Sequence, residues 1–265
     1  MSLLPHGVLA MAAAAACLPL AAAIAQEADK PDAHYYLQPA ADDDTPRPWL
    51  ILLPGGGGMD VFGDTEFYYD EARRWNALGF DALLVHYQAA APLIEGAEGP
   101  DPGPMEARVV ADALAAAKRN NWLDLSCPGF VIGFSMGGAG VLSLAADPPA
   151  NLAGAVARYP LVRGQPDGYA ARVPVLILQG ENDRLTTAPE LDAFLARASD
   201  TSQVQVIRYT EAEHGFDIPS LAAGVNYNGG TFRYHRDFAA DALARIADFA
   251  ERILASAPAC TDEDS

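Results

Sequence analysis

Three residues of this chain have the types and the spacing to form a nucleophile with its proton shuttle: Ser135, Asp183 and His214, met in that order. Ser135 lies in Gly133-Phe134-Ser135-Met136-Gly137, directly after the apolar run Phe130-Val131-Ile132 and before a glycine- and alanine-rich stretch. A G-x-S-x-G turn between a strand and a helix lifts the serine Oγ above a sheet, and its small neighbours let the helix approach the strand closely. A serine hydroxyl is a poor nucleophile until a histidine takes its proton. The histidine in turn needs a carboxylate to fix its tautomer and offset its charge. Asp183 closes Gly180-Glu181-Asn182-Asp183 after the run Val175 to Leu178, and His214 stands in Glu213-His214-Gly215-Phe216 after the run Val204 to Tyr209. All three therefore fall where a strand gives way to a loop, the edge at which open α/β sheets bind ligands. Glu181 is the competing acid and reads as a solvated side chain. His86 is the rival histidine and reads as a core or loop residue, while His6, His34 and His235 fall in a leader, a lead-in segment and the start of the last helix.

A developing oxyanion needs two backbone donors, one from the residue after the nucleophile and one from a loop after an early strand. Met136 supplies the first. Pro54-Gly55-Gly56-Gly57-Gly58-Met59, just past the run Trp49 to Leu53, offers the second, with Gly55 and Gly56 as the candidates. A simple flexible turn is the plainer reading of these glycines. A phosphate cradle fits worse, because no Lys-Ser/Thr pair follows.

The elements that must position these groups are short apolar runs alternating with stretches of helical pattern. The runs are Trp49 to Leu53, Ala82 to His86, Phe130 to Phe134, Ala153 to Ala157, Val173 to Leu178 and Val204 to Tyr209. Their unbroken apolarity is that of strands buried on both faces. Between them Glu66 to Leu78, Met105 to Arg119, Met136 to Ala146 and Pro189 to Ala198 suit helices. Phe238, Ala242, Ile246, Phe249 and Ile253 make one apolar stripe on a last helix. The fold class is therefore α/β, a mainly parallel sheet with helices on both faces. One catalytic domain is expected over residues 48–257, preceded by a polar lead-in at 26–47 with an edge strand near Tyr35-Tyr36-Leu37, and followed by an acidic tail at 258–265.

Charge narrows the partners. Thirty-five acidic residues against 17 basic ones give a formal charge of −18. That field repels nucleic acid and anionic membranes, so neither a nucleic-acid partner nor a stable membrane partner is expected. Residues 1–25 carry no charged side chain and end in Ala23-Ile24-Ala25, an apolar run with an A-x-A cleavage pattern. They read as a signal peptide cut after Ala25, which places the mature chain in the periplasm or outside the cell; a retained anchor is the minor alternative. Cleavage removes Cys17 and leaves Cys127 and Cys260, two cysteines that can pair in an oxidising compartment. Cys127 precedes the nucleophile strand, and the far end of the last helix returns to that same amino edge of the sheet, so a Cys127–Cys260 disulfide is expected.

The segments Leu52 to Gly58, Gly133 to Gly138, Gly180 to Asp183, His214 to Phe216 and the helix Tyr234 to Leu254 resemble the dienelactone hydrolase family of α/β-hydrolases, over roughly residues 48–255. The resemblance implies the α/β-hydrolase fold and acyl transfer to water with no metal and no cofactor. Members usually carry a cysteine nucleophile and a glutamate near the first glycine loop; here Ser135 stands in the first place and no glutamate occurs in Gly55 to Gly58. These departures shift the expectation from dienelactone hydrolysis itself to a serine esterase acting on small-molecule esters. A prolyl-oligopeptidase-like peptidase and a non-catalytic binding protein on the same scaffold are the alternatives. Only Arg158 to Arg172 separate the fourth run, Ala153 to Ala157, from the next strand, too little for a helical cap, so the site is expected to be open. Tyr159, Phe216 and the loop Pro219 to Tyr234 should border it. Arg158 and Arg163 stand at the same edge, where a guanidinium could hold a substrate carboxylate, as arginines do in that family; the plainer reading is a solvated pair with an acid such as Asp167.

Overall fold

The computed structural model describes residues 30–43 and 45–260. The expected signal peptide at 1–25 and the tail past Cys260 lie outside the described residues.

In chain order the elements are β1 (Tyr35–Gln38), β2 (Trp49–Leu53), α1 (Phe67–Asn76), β3 (Asp81–Val85), α2 (Pro102–Asn120), β4 (Gly129–Phe134) and α3 (Met136–Ala146). There follow β5 (Leu152–Arg158), β6 (Val175–Gly180), α4 (Ala188–Ala196), β7 (Val204–Tyr209), the hairpin β8 (Val225–Tyr227) and β9 (Gly230–Phe232), and α5 (Arg236–Ser256). β1 to β7 form one sheet in the order β1-β3-β2-β4-β5-β6-β7. Every pairing is parallel except that of β1, which runs antiparallel to β3 at the edge. β1 is the edge strand expected near Tyr35-Tyr36-Leu37 in the lead-in.

Strand parity divides the core. In β2, Trp49, Ile51 and Leu53 face a cluster that includes Val109 and Ala113 of α2, Val141 of α3 and Leu191 and Phe194 of α4. Leu50 and Leu52 face the opposite cluster, with Phe67 and Trp75 of α1 and Ile246 and Phe249 of α5. Alternate side chains of a strand point to opposite faces, so a continuous apolar run is what a sheet covered on both sides requires. Between β5 and β6 there is no helix, so no cap covers the carboxyl edge at that point.

The expected disulfide is present: Cys127 and Cys260 are joined with Cα atoms 4.1 Å apart, across 133 residues of sequence. It ties the end of α5 to the segment leading into β4. Among the described residues no helix is long and apolar enough to cross a membrane.

Candidate active site

β4 ends at Phe134 and α3 begins at Met136, leaving Ser135 alone in the turn at φ 54°, ψ −111°. L-residues avoid this region at a cost of roughly 1–3 kcal/mol, and it persists only where the surroundings over-determine it. They do so here: the Ser135 N–H donates to Arg158 O at 2.9 Å, and the Ser135 carbonyl accepts from Gly138 N at 3.0 Å and Leu161 N at 2.8 Å. The close approach of helix and strand explains the glycines. A Cβ on Gly133 would lie 2.2 Å from Gly137 O, and one on Gly137 would lie 2.4 Å from Pro54 O.

Asp183 sits in the loop after β6, anchored where the Glu181 and Asn182 amides donate to Tyr209 O and Ala212 O at 3.0 Å each. Its Oδ1 accepts from Leu185 N at 2.8 Å and Thr186 N at 3.0 Å, and its Oδ2 accepts from Thr186 Oγ1 at 2.8 Å. The same Oδ2 lies 2.7 Å from His214 Nδ1. Burial alone would raise the Asp183 carboxyl, but the bonds from His214, Thr186 and Leu185 hold it below the ordinary carboxylate range. An ionised Asp183 fixes the proton on Nδ1 and leaves the Nε2 lone pair of His214 free to accept. The imidazole is buried between the rings of Tyr159 and Phe232, with centroids 4.7 and 4.8 Å away.

Ser135, Met136, His214, Tyr159, Thr186 and the four glycines Gly55 to Gly58 all line one cavity of about 560 Å³, with Asp183 behind His214. Met136 opens α3, where backbone amides have no partner within the helix and point outward. The two glycine candidates separate: the Gly55 N–H donates to the Tyr68 hydroxyl at 2.8 Å, which leaves Gly56 as the candidate donor of that loop. Glu181 is exposed. His86 packs edge-on against His34 and beside Gly58, and both burial and the neighbouring His34 lower its pKa.

Two of the proposed substrate contacts need correction. Arg158 does not face the cavity. It is the last residue of β5 and shares the parity of Val156, so its side chain enters the core on the face covered by α1 and α5. There, 1% exposed, it donates to Asp217 Oδ2 and to Glu71 Oε2, each at 3.1 Å, and lies 4.6 Å over the Phe134 ring. Burial opposes its charge, yet Glu71 and Asp217 more than offset that and hold its pKa above the ordinary value. Asp217 is pushed up by burial, while Arg158 draws it down. Phe216 is likewise fully buried, edge-on to Tyr159 and tilted against Tyr209, and forms no part of the cavity wall. Tyr159 does line the cavity, its hydroxyl donating to Asp217 at 2.9 Å. Arg163 also lines it but pairs with Glu190 at 2.9 Å, while Asp167 pairs with Arg197.

Sequence reasoning missed Tyr68, Thr186 and Arg184 in the cavity wall, whereas Tyr227, Asn228 and Phe232 there belong to the loop Pro219 to Tyr234 that was expected to border it. Thr186 had a signal: a hydroxyl three residues past Asp183, in position for the turn in which an aspartate caps following amides. Tyr68 had none, since a tyrosine on an apolar helix face reads as core.

The model of the family described as the dienelactone hydrolase family matches residues 103–254, which hold all three candidate residues. The chain belongs to the dienelactone hydrolase family. The match is narrower than the resemblance read over 48–255, and the glycine loop lies outside it. No curated protein matches the sequence. Among solved structures, this family member is similar to a dienelactone hydrolase-like promiscuous phosphotriesterase from metagenomic libraries, at 22% identity over 83% of this chain and 92% of that one, with a TM-score of 0.65. A Pyrococcus furiosus esterase matches at 15% identity over 79% and 84% of the two chains, TM-score 0.55. A Mycobacterium tuberculosis puromycin-hydrolyzing peptidase matches at 16% identity over 85% of this chain but 38% of its own, TM-score 0.57. These likenesses show a shared α/β-hydrolase fold. Among the described residues no group of three or more His, Cys, Asp or Glu side chains is placed to hold a metal ion.

Proposed function

We propose that this dienelactone hydrolase-like protein is an exported serine esterase that hydrolyses small carboxylic esters through an acyl-enzyme. The observation that carries the reading is Ser135, strained at the β4–α3 elbow, in the same cavity as a His214 whose Nδ1 is bonded to Asp183. His214 Nε2 takes the proton as Ser135 Oγ bonds to the ester carbon, and the carbonyl π electrons move onto oxygen. The oxyanion is met by the Met136 amide at the head of α3 and by Gly56. Collapse breaks the bond to the leaving alkoxide, which receives the proton from His214, and water then repeats the sequence on the acyl-Ser135 ester.

The cavity volume suits a small molecule. Its rim, with Phe62, Tyr227 and Phe232 in edge-to-face contact, supports uptake of compact, partly apolar esters. An anionic substituent would meet Arg163 and Arg184, which line the wall, and not the buried Arg158. The disulfide supports residence in an oxidising compartment. The test is hydrolysis of short-chain p-nitrophenyl esters by wild type, Ser135→Ala and His214→Ala. Each variant should lose about 10³-fold or more of turnover with its thermal transition retained. A preference for emulsified long-chain triglycerides would contradict the small-ester assignment.

A further inference from the structure

The Tyr68 phenol stands where the chemistry develops charge. Its oxygen accepts the Gly55 N–H at 2.8 Å, and no acceptor among the described residues takes its own proton. A Cβ placed on Gly55 would lie 3.5 Å from this hydroxyl and 3.6 Å from Ser135 Cβ, so the phenol and the nucleophile flank the same backbone position. Tyr68 lines the cavity although only 3% of it is exposed. Its ring is clamped edge-to-face by Phe67 and Phe134, at 5.0 and 5.3 Å. A hydroxyl is one donor with two acceptor sites. With one lone pair occupied by Gly55 and the ring immobilised, the O–H turns only about the C–O bond, and the cavity that Tyr68 lines offers it a place for an acceptor.

We propose that Tyr68 is a catalytic residue whose hydroxyl donates a hydrogen bond to the oxyanion formed when Ser135 attacks an ester carbonyl. This rests on the esterase reading. The tyrosine adds a third donor beside the Met136 and Gly56 amides, the Gly55 amide being engaged by the phenol oxygen itself. That amide points at the phenol oxygen, and by donating to it polarises the O–H into a stronger donor, as linked hydrogen bonds do. No proton is transferred: the phenol keeps its hydrogen throughout, and burial, which pushes its pKa well up, keeps it protonated at every working pH. Preorganised donors of this kind act because they need no reorientation when the charge appears.

The test compares wild type and Tyr68→Phe on a p-nitrophenyl ester and on its thionoester, in which the developing charge sits on sulfur, a weak hydrogen-bond acceptor. In Tyr68→Phe, kcat/KM for the oxygen ester should fall on the order of 10²-fold, and that for the thionoester no more than a few-fold, with the thermal transition measured alongside. An equal loss on both substrates would assign Tyr68 a purely structural role in the glycine loop and overturn the proposal, as would no loss on either. A wild type that is inactive, or whose activity survives Ser135→Ala, would overturn the esterase reading and this proposal with it.

Discussion

Replacing Arg158 by methionine separates the buried position found here from a substrate-binding one. The guanidinium lies 3.1 Å from each of two carboxylates, on Glu71 and Asp217, and all three side chains are at most 2% exposed. At an effective dielectric of 20, each pair at that distance attracts by about 5 kcal/mol, most of which offsets the desolvation of three ions. Removing the cation leaves Glu71 with Arg74, but Asp217 with no cation among the described residues, held by the Tyr159 hydroxyl and a backbone amide. Breaking such a buried pair costs about 3–5 kcal/mol. At roughly 2–4 °C per kcal/mol for a domain of this size, the melting temperature should drop by about 6–20 °C at neutral pH. The pH dependence gives a sharper signature. Asp217 already has its folded pKa raised by burial; without Arg158 it rises further, so the folded variant holds a proton that the unfolded chain releases. Stability then falls as pH rises, by up to about 1.4 kcal/mol per unit, and the deficit should narrow markedly between pH 8 and pH 5. Calorimetry of both proteins across that range measures it, together with relative kcat/KM for neutral and carboxylate-bearing esters. A variant as stable as wild type, or one that selectively loses the carboxylate-bearing substrates, would refute the buried-cluster reasoning.

Reduction of Cys127–Cys260, or its replacement by two alanines, releases a loop of 133 residues, worth up to about 5 kcal/mol in the chain-entropy picture; a scan with and without reductant should show a clearly lower transition when reduced, and titration of the denatured oxidised protein should find no thiol at either position. Gly133→Ala would set a Cβ 2.2 Å from Gly137 O, so it should yield misfolded or insoluble protein, whereas soluble and active protein would contradict the close strand-to-helix contact. Asp183→Asn keeps the shape of the loop but favours the wrong histidine tautomer, and should lower kcat by about 10⁴-fold with little change in KM.

The parallel sheet was legible because buried strands and the helices between them differ in length and periodicity, and parallel strands demand crossover helices. The gathering of Ser135 and His214 on one cavity, with Asp183 bonded to His214, was legible because each sits at a strand end, and chain order then brings the three loops to one edge of the sheet. What escaped was side-chain direction and long-range partnership. Arg158 was placed at the carboxyl edge correctly, but its parity aims it into the core, and its partners Glu71 and Asp217 lie 87 and 59 residues away in sequence. Phe216 follows His214 closely and was assigned to the site on proximity alone, yet it packs into the core. Tyr68 became visible only once α1 was laid against the glycine loop, a contact that no local pattern encodes.

Labelling with a fluorophosphonate, followed by peptide mapping of the adduct, reads out the nucleophile itself. The arrangement of Ser135, His214 and Asp183 predicts a single adduct on Ser135, abolished in Ser135→Ala and strongly slowed in His214→Ala. An adduct on another serine, or undiminished labelling of Ser135→Ala, would contradict it.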